Sequence, residues 1–340
     1  MKSIATDLID LPDAPPVPGL VFRHFRGASD YPDMVRIANE RAAANGDEWV
    51  VTMEEIAHEY AHLSNCDPAT DMIVAEVDGV MVGYWRGRWW ENADGATIYA
   101  IALWLHPAWH GRGISHVALR WMEARLRDIA AGHDATRPKF FQGYATQGNH
   151  SQAALLEAHG YHPVRHFHTM VRPSLDDIPD FPLPEGLEVR PVLPEHYRAL
   201  WDADLEAFRD AWGFGEPDEE DYQAWLSNKT TFQPQLWQVA WDTAANCIAG
   251  QVQTFIDQAE NERFGRRRGY TENISVRRPY RRRGLARALI VRSLQAQRAV
   301  GITSSTLSVD SESLTGATRV YEDCGFRVVK TGTLFRKPVE

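Results

Sequence analysis

The chain has 340 residues, enough for two domains of ordinary size, and its 44% apolar and 24% charged residues are the balance of a soluble globular fold. A formal charge of −10 argues against a nonspecific nucleic-acid binder, whose affinity comes from neutralising phosphates. No apolar run approaches the roughly 18 residues that span a bilayer. Cys66, Cys247 and Cys324 lie far apart with no C-x-x-C spacing, which speaks against a disulfide framework or a zinc site and suits a cytoplasmic location.

Met1 to Pro18 holds four prolines, three aspartates and one lysine, so it reads as a loose arm rather than a signal peptide. From Gly19 onward the chain is a repeat. Gly19-Leu20-Val21-Phe22-Arg23 returns 167 residues later as Gly186-Leu187-Glu188-Val189-Arg190. Val82-Gly83 returns as Ala249-Gly250, and His159-Gly160-Tyr161 as Cys324-Gly325-Phe326. Leu105 to Gly113 corresponds to Val276 to Gly284. Collinear matches at a nearly constant offset indicate one duplicated domain, 19–172 and 185–340, joined by a proline- and aspartate-rich linker, 173–184.

Each copy opens with a strand, Val21–Phe25 or Glu188–Val192, and continues with a helical region, Tyr31–Ala44 or Pro194–Ala211. Alternating strands come next, with Asp78-Gly79 as a tight hairpin turn. A further strand runs into a glycine-containing loop, from which an amphipathic helix leaves. In the second copy Ala286, Leu289, Ile290, Ser293 and Leu294 form its apolar stripe, and Gly301 ends it. A strand at Ser305–Val309 and a helix ending at Gly325 close the copy. The pattern predicts an α/β (α+β) chain of two tandem domains, each a mixed, mostly antiparallel sheet flanked by helices.

Strand, short glycine loop and helix together present free backbone N–H groups, and the helix dipole adds partial positive charge. Here the loop is Arg281-Arg282-Arg283-Gly284-Leu285-Ala286, whose small residues allow close approach of a phosphate. Neither a Gly-x-x-x-x-Gly-Lys-Ser/Thr nor a Gly-x-Gly-x-x-Gly pattern is present. Glu272, on the strand entering the loop, is the best-placed proton acceptor by sequence order, with Asp310 behind it. The thirteen histidines, His58 and His62 among them, are assigned to surface and packing, with no metal.

Val276-x-x-Pro279-x-Arg281-x-x-Gly284-x-Ala286, followed by Thr315-Gly316-Ala317-x-x-Val320-Tyr321-Glu322-x-x-Gly325-Phe326, resembles the GNAT superfamily of acyl-coenzyme A N-acyltransferases. With the duplication, the resemblance extends to tandem, mycothiol synthase-like acetyltransferases. It implies acetyl-CoA as co-substrate and a small-molecule or peptide amine as acceptor, with no nucleic acid or membrane partner, in a monomer or homodimer. It further implies that backbone at Ile274 and Val276 holds the pantetheine arm, that Arg281, Arg282, Arg283, Gly284, Leu285 and Ala286 bind the pyrophosphate, and that Ser313 stands near the adenosine. Tyr321 would protonate the departing thiolate. The first copy has His110-x-x-Gly113-x-Ser115, with Leu156 where Tyr321 stands, so it is expected to keep the fold and lose this chemistry. An alternative is a non-catalytic acyl-CoA-binding or sensory protein.

Overall fold

The computed structural model describes residues 7–313 and 315–340. In chain order the strands and α-helices are β1 (Leu8–Ile9), β2 (Leu20–Arg23), α1 (Tyr31–Ala44), α2 (Met53–Ala61), β3 (Met72–Val77), β4 (Val80–Glu91) and β5 (Thr97–Leu105). Next come α3 (Ile114–Ala131), β6 (Lys139–Thr146), α4 (His150–Ala158), β7 (His162–Arg172), β8 (Leu187–Arg190), α5 (Tyr197–Phe208) and α6 (Glu219–Ser227). The chain finishes with β9 (Gln238–Asp242), β10 (Cys247–Phe255), α7 (Gln258–Phe264), β11 (Arg268–Val276), α8 (Leu285–Ala299), β12 (Ser304–Asp310), α9 (Ala317–Asp323) and β13 (Arg327–Pro338). No helix among the described residues is long and apolar enough to cross a membrane.

Contacts divide the chain into two compact units, at positions other than the ends of the sequence repeat. Unit 1 runs to Val164 and adds Thr333–Glu340; unit 2 is Arg165–Gly332. The last strand of each sequence copy is therefore exchanged. Residues 167–172 of β7 pair antiparallel with β12, Phe167 opposite Asp310 and Arg172 opposite Ser305. In unit 1, Phe335 of β13 is buried in the core, the Arg336 Nε donates to Gln142 Oε1 at 3.0 Å, and the Val339 amide donates to the Lys139 carbonyl at 2.9 Å.

Both units are three-layered and mostly antiparallel. Unit 1 orders its strands β1-β2-β3-β4-β5-β6-β13, and only β5 and β6 run parallel. One face packs on α3 and α4 through Trp85, Tyr99, Leu119, Met122 and Phe141, and the other on α1 and α2 through Met34, Ile37, Ile56 and Tyr84. Burial on both faces explains why β3 reads Met-Ile-Val-Ala-Glu-Val with every residue buried. The Asp78-Gly79 turn has φ of 50° and 79°, the two positive values a type I′ hairpin requires. Unit 2 orders its strands β7-β12-β11-β10-β9-β8, with β11 and β12 parallel. Leu289, Ile290 and Leu294 of α8 fill one face as the stripe predicts, joined by Leu285 in place of the expected Ala286, which is only half-buried; Leu200, Trp237 and Trp241 fill the other.

Two expectations need correction. The arm of residues 1–18 is not loose where it is described: β1 pairs with β2, Asp7 meets Arg26 at 2.6 Å, and Ile9, Leu11 and Val17 pack on the unit 1 core. Residues 1–6 of that arm lie outside the described residues. The 173–184 segment is not a free linker either. Leu175 is buried, its amide donates to the Thr303 carbonyl at 3.0 Å, and Ile178, Phe181 and Leu183 cover the unit 2 core. Its apolar residues, spaced between the prolines, provide the reason: extended backbone can still bury side chains.

Candidate active site

The site of unit 2 begins with a fault in β11. The strand pairs with β10 as Val276–Gly250 and Ser275–Gln251, but the next pair is Glu272–Gln253, so β11 carries one extra residue. Asn273 takes it up with φ 45°, a bulge that turns the strand. On its other side β11 pairs with β12 only over Arg268–Tyr270. Beyond Tyr270 the parallel strands separate, and the Ser308 amide donates to the Glu272 carboxylate at 2.9 Å instead of to a backbone carbonyl. Glu272 thus stands where the wedge opens.

The wedge is a cavity of about 1090 Å³, lined by Glu272, Ile274, Val276, Arg281, Arg282, Gly284, Leu285, Ala286, Ser313 and Tyr321 among others. The sequence-derived residues are thereby gathered, except Arg283, which turns to the Glu185 carbonyl at 2.9 Å. The helices α2, α4, α6 and α7 open with a side chain that accepts from the first turn. By contrast α8 opens at Gly284, φ 87°, with no side-chain cap. Among the described residues, the amides of Arg282 to Arg287 have no protein acceptor. A Cβ placed on Gly284 would meet nothing within 4 Å, so the face over the loop is open. Free backbone donors at an uncapped helix start have the geometry that suits an anion.

The loop's arginines divide the work unequally. Arg281 donates from Nε to the Val276 carbonyl at 3.0 Å, from Nη1 to Asp210 at 2.8 Å and from Nη2 to the Ala207 carbonyl at 2.8 Å. That guanidinium braces the loop against the end of α5. Arg278 and Arg281 together hold the Asp210 carboxyl down at about 2. Arg282 and Arg319 line the cavity and carry no protein partner among the described residues. Ser313 shares a 2.9 Å hydrogen bond with Thr315.

Two groups have proton affinities displaced in useful directions. Burial pushes the Glu272 carboxyl up to about 8, against the pull of the Ser308 amide. Burial, then the charges of Glu272 and Cys324, raises the Tyr321 hydroxyl above its ordinary value, so it stays protonated at any physiological pH. Tyr321 is only 7% exposed yet forms part of the cavity wall. Sequence reading missed Asp204, whose carboxyl beside the bulged strand accepts from Gln251 Nε2 at 3.1 Å and is raised to about 7 by burial. It also missed Arg165. This β7 residue grips Asp310 with two 2.8 Å bonds, reaches Glu312 at 3.0 Å and lies over the Trp212 ring at 5.3 Å. Asp310, so engaged, is a structural anchor. No local signal marks Arg165, because its carboxylate partners lie 145 and 147 residues away.

Unit 1 keeps an uncapped glycine at the start of α3, Gly113 with φ 84°, but lacks the bulge, the tyrosine and the wide cavity. Its β4–β5 ladder runs unbroken from Gly83–Leu105 to Glu91–Thr97, with no bulge. Leu156, at the Tyr321 position, is fully buried against Gly143. The matching cavity is about 230 Å³.

The sequence profile of the Acetyltransferase (GNAT) family matches residues 34–161 and again 197–326. A mycothiol acetyltransferase of Salinispora arenicola is 29% identical over 262 residues, 76% of this chain and 78% of that protein. Another, of Streptomyces bingchenggensis, is 27% identical over 274 residues, 78% of this chain and 80% of that one. The crystal structure of a GCN5-related N-acetyltransferase from Sphaerobacter thermophilus matches with a TM-score of 0.71 at 26% identity, covering 97% and 98% of the two chains. A tandem GNAT protein from the clavulanic acid biosynthesis pathway shares the fold, with a TM-score of 0.66 at 15% identity over 94% and 99%. With profile matches over most of both halves and these relatives, the chain belongs to the GNAT family of N-acetyltransferases and carries the family's domain twice in tandem.

Proposed function

We propose that unit 2 moves an acetyl group from acetyl-CoA to a primary amine by direct attack, and that unit 1 performs no such chemistry. The observation that carries this is one cavity in which the β11 bulge, the bare amides of Arg282 to Arg287, Glu272 and Tyr321 converge. The cradle at Gly284 fits a pyrophosphate, and the backbone at Ile274 and Val276 would hold the pantetheine arm. The Val276 carbonyl is shared with Arg281, so Ile274, which has no strand partner in the register, offers the freer backbone.

In the reaction the amine nitrogen attacks the thioester carbonyl and passes its proton to the Glu272 carboxylate. The carbon–sulfur bond then breaks, and the thiolate takes the Tyr321 proton. A tyrosine held protonated suits the second step, and a carboxyl near 8 has enough proton affinity for the first. The mycothiol acetyltransferase relatives favour mycothiol-type amines as the first acceptors to assay. The free cysteines fit a cytoplasmic enzyme.

Calorimetric titration with acetyl-CoA tests the reading. Ala286 and Ser115 hold the second position of α8 and α3, where glutamate is compatible with the helix and places a carboxylate in the cradle. We expect one acetyl-CoA per wild-type chain, at least tenfold weaker binding by Ala286→Glu, and no change with Ser115→Glu. Undiminished binding by Ala286→Glu, or no release of the coenzyme A thiol from acetyl-CoA with any amine of a broad panel, overturns the proposal.

A further inference from the structure

We propose that the acceptor of unit 2 is a primary amine on an uncharged, flat apolar body, an arylalkylamine in chemical class, which enters from the α5 face of the sheet and packs against Phe208, Ala211 and Trp212. The inference rests on acetyl transfer at this site and narrows its acceptor.

The sheet gives the cavity two sides. Ile274 and Val276 of β11 and Val309 of β12 pack with Leu285, Val320 and Tyr321 on the face of α8 and α9, and α8 starts at the Gly284 loop. The opposite face belongs to α5 and α6. There Gln251 of β10 donates to the Leu200 carbonyl of α5 at 2.9 Å, and Gln253 accepts from Trp225 of α6 at 3.1 Å. Ser275 stands opposite Gln251 and Glu272 opposite Gln253, and residues paired across strands share a face. Glu272 therefore points to the α5 face, although Ile274, two residues on, points to α8; the extra residue at Asn273 makes the difference. A cofactor arm laid from the Gly284 side takes one face of the wedge. An amine within reach of Glu272 comes from the other.

Polar groups on that second wall are already engaged. Gln251 also donates to Asp204 at 3.1 Å, the Ser275 hydroxyl donates to the same carboxylate, and Gln253 accepts from Asn273 at 3.0 Å. Gln251, Gln253 and Ser275 are 0%, 5% and 4% exposed, beyond the reach of a ligand hydroxyl. Charges are engaged too: Asp210 lies between Arg278 and Arg281, and Arg165 between Asp310 and Glu312. Arg282 and Arg319, the cavity cations without a protein partner among the described residues, stand at the starts of α8 and α9 on the cofactor side. What remains toward the acceptor is Phe208, Ala211 and Trp212. Leu307 and Val309 join the α8 core, so Ser308 between them points to the α5 face, beside the Glu272 carboxylate that its amide binds. The polar point thus lies where the amine reacts, and the wall beyond it is apolar.

That wall is preformed. Phe208 ends α5, the Ala211 amide donates to the Phe208 carbonyl at 2.8 Å, and the Phe214 amide to the Ala211 carbonyl at 3.3 Å, two turns in succession. Asp210 ties the segment to the arginine loop, and the Arg165 guanidinium over the Trp212 ring at 5.3 Å holds that ring flat. A rigid apolar wall beside one polar point recognises an amine head on a hydrocarbon body, and aromatic walls favour a flat one. A polyol here leaves its hydroxyls unpaired, and a carboxylate or a second ammonium is buried without a counter-charge.

The test compares phenethylamine, glucosamine, β-alanine and putrescine at saturating acetyl-CoA, each scored by release of the coenzyme A thiol and referred to the concentration of neutral amine. We expect kcat/KM for phenethylamine to exceed that for each of the others by about 10²-fold or more. Ala211→Asp, at an exposed loop position, should raise the KM of phenethylamine at least tenfold and in the same protein raise kcat/KM for putrescine at least tenfold. Trp212→Ala should raise the KM of phenethylamine at least tenfold. In wild type saturated with coenzyme A, calorimetry should find one phenethylamine per chain, with binding at least tenfold weaker in Ala211→Asp. Glucosamine, β-alanine or putrescine used as well as phenethylamine, or a phenethylamine KM unchanged in both variants, overturns the acceptor class and leaves acetyl transfer standing. Thiol release with none of the amines counts against acetyl transfer itself, and the acceptor site then stands or falls on the calorimetric titration.

Discussion

Glu272 acquires its properties at the point where a strand stops pairing. Its carboxylate substitutes for a backbone carbonyl toward Ser308, in surroundings dense enough to raise it to about 8. A proton acceptor works only when deprotonated. At pH 7 Glu272 is mostly protonated, so kcat/KM should rise about tenfold per pH unit below 8 and level off above it. An acceptor amine of pKa below about 6 keeps its own titration out of this limb. Glu272→Gln should remove the limb and leave a low, pH-flat rate; a limb that survives assigns the proton elsewhere. Tyr321 meets the opposite requirement. Tyr321→Phe should lower kcat by about 10²-fold or more, because the thiolate then leaves unprotonated, with acetyl-CoA affinity within twofold of wild type. Single-turnover kinetics at saturating acetyl-CoA measure it, and an unaltered rate removes Tyr321 from the chemistry.

At the scale of elements, the site is held open by strands that diverge and closed by a residue that arrives on another strand. Arg165 of β7 binds Asp310 bidentately and Glu312 beyond it, at the start of the loop that leads from β12 to α9 and Tyr321. The planar fork of arginine suits this geometry and a lysine does not. Arg165→Lys should therefore behave like Arg165→Ala in steady-state kinetics. Both should raise KM for acetyl-CoA and lower kcat about tenfold or more, since a small misplacement of a reacting group has costs of this order. Full recovery with lysine would show that charge alone suffices. Helices and loop were legible in the sequence because their signals are local: the α8 stripe, the Asp78-Gly79 turn, the glycine before the helix. Arg165 and Asp204 were not, because each acquires its role from partners distant in the chain. The engagement of Arg281 with Val276, Ala207 and Asp210 was equally invisible, since an arginine in an anion loop looks the same whether it faces ligand or protein.

For the whole chain, duplication in sequence is not duplication in space. Phe335 belongs to the second sequence copy yet is buried in the unit 1 core. Phe335→Ala should cost unit 1 about 3–5 kcal/mol, the usual loss for a buried phenylalanine. In urea unfolding it should appear as an earlier first transition, with acetyl-CoA binding to unit 2 retained. A shift confined to the unit 2 transition would contradict the assignment of β13.

The sequence by itself determined the family, the number of domain copies, the glycine loop proposed to bind anions and the absence of the tyrosine from the first copy. Those properties are carried by residue type and short spacing. Tertiary structure decided which strand completes which unit, because an edge is filled by whichever partner buries its apolar side chains. It decided that residues 7–18 fold onto unit 1 and that Pro15 covers Gly113. It also decided that the arginine loop offers mainly backbone. One extra residue at Asn273 opens the wedge in unit 2, and no pattern of residue types announces a break in strand register.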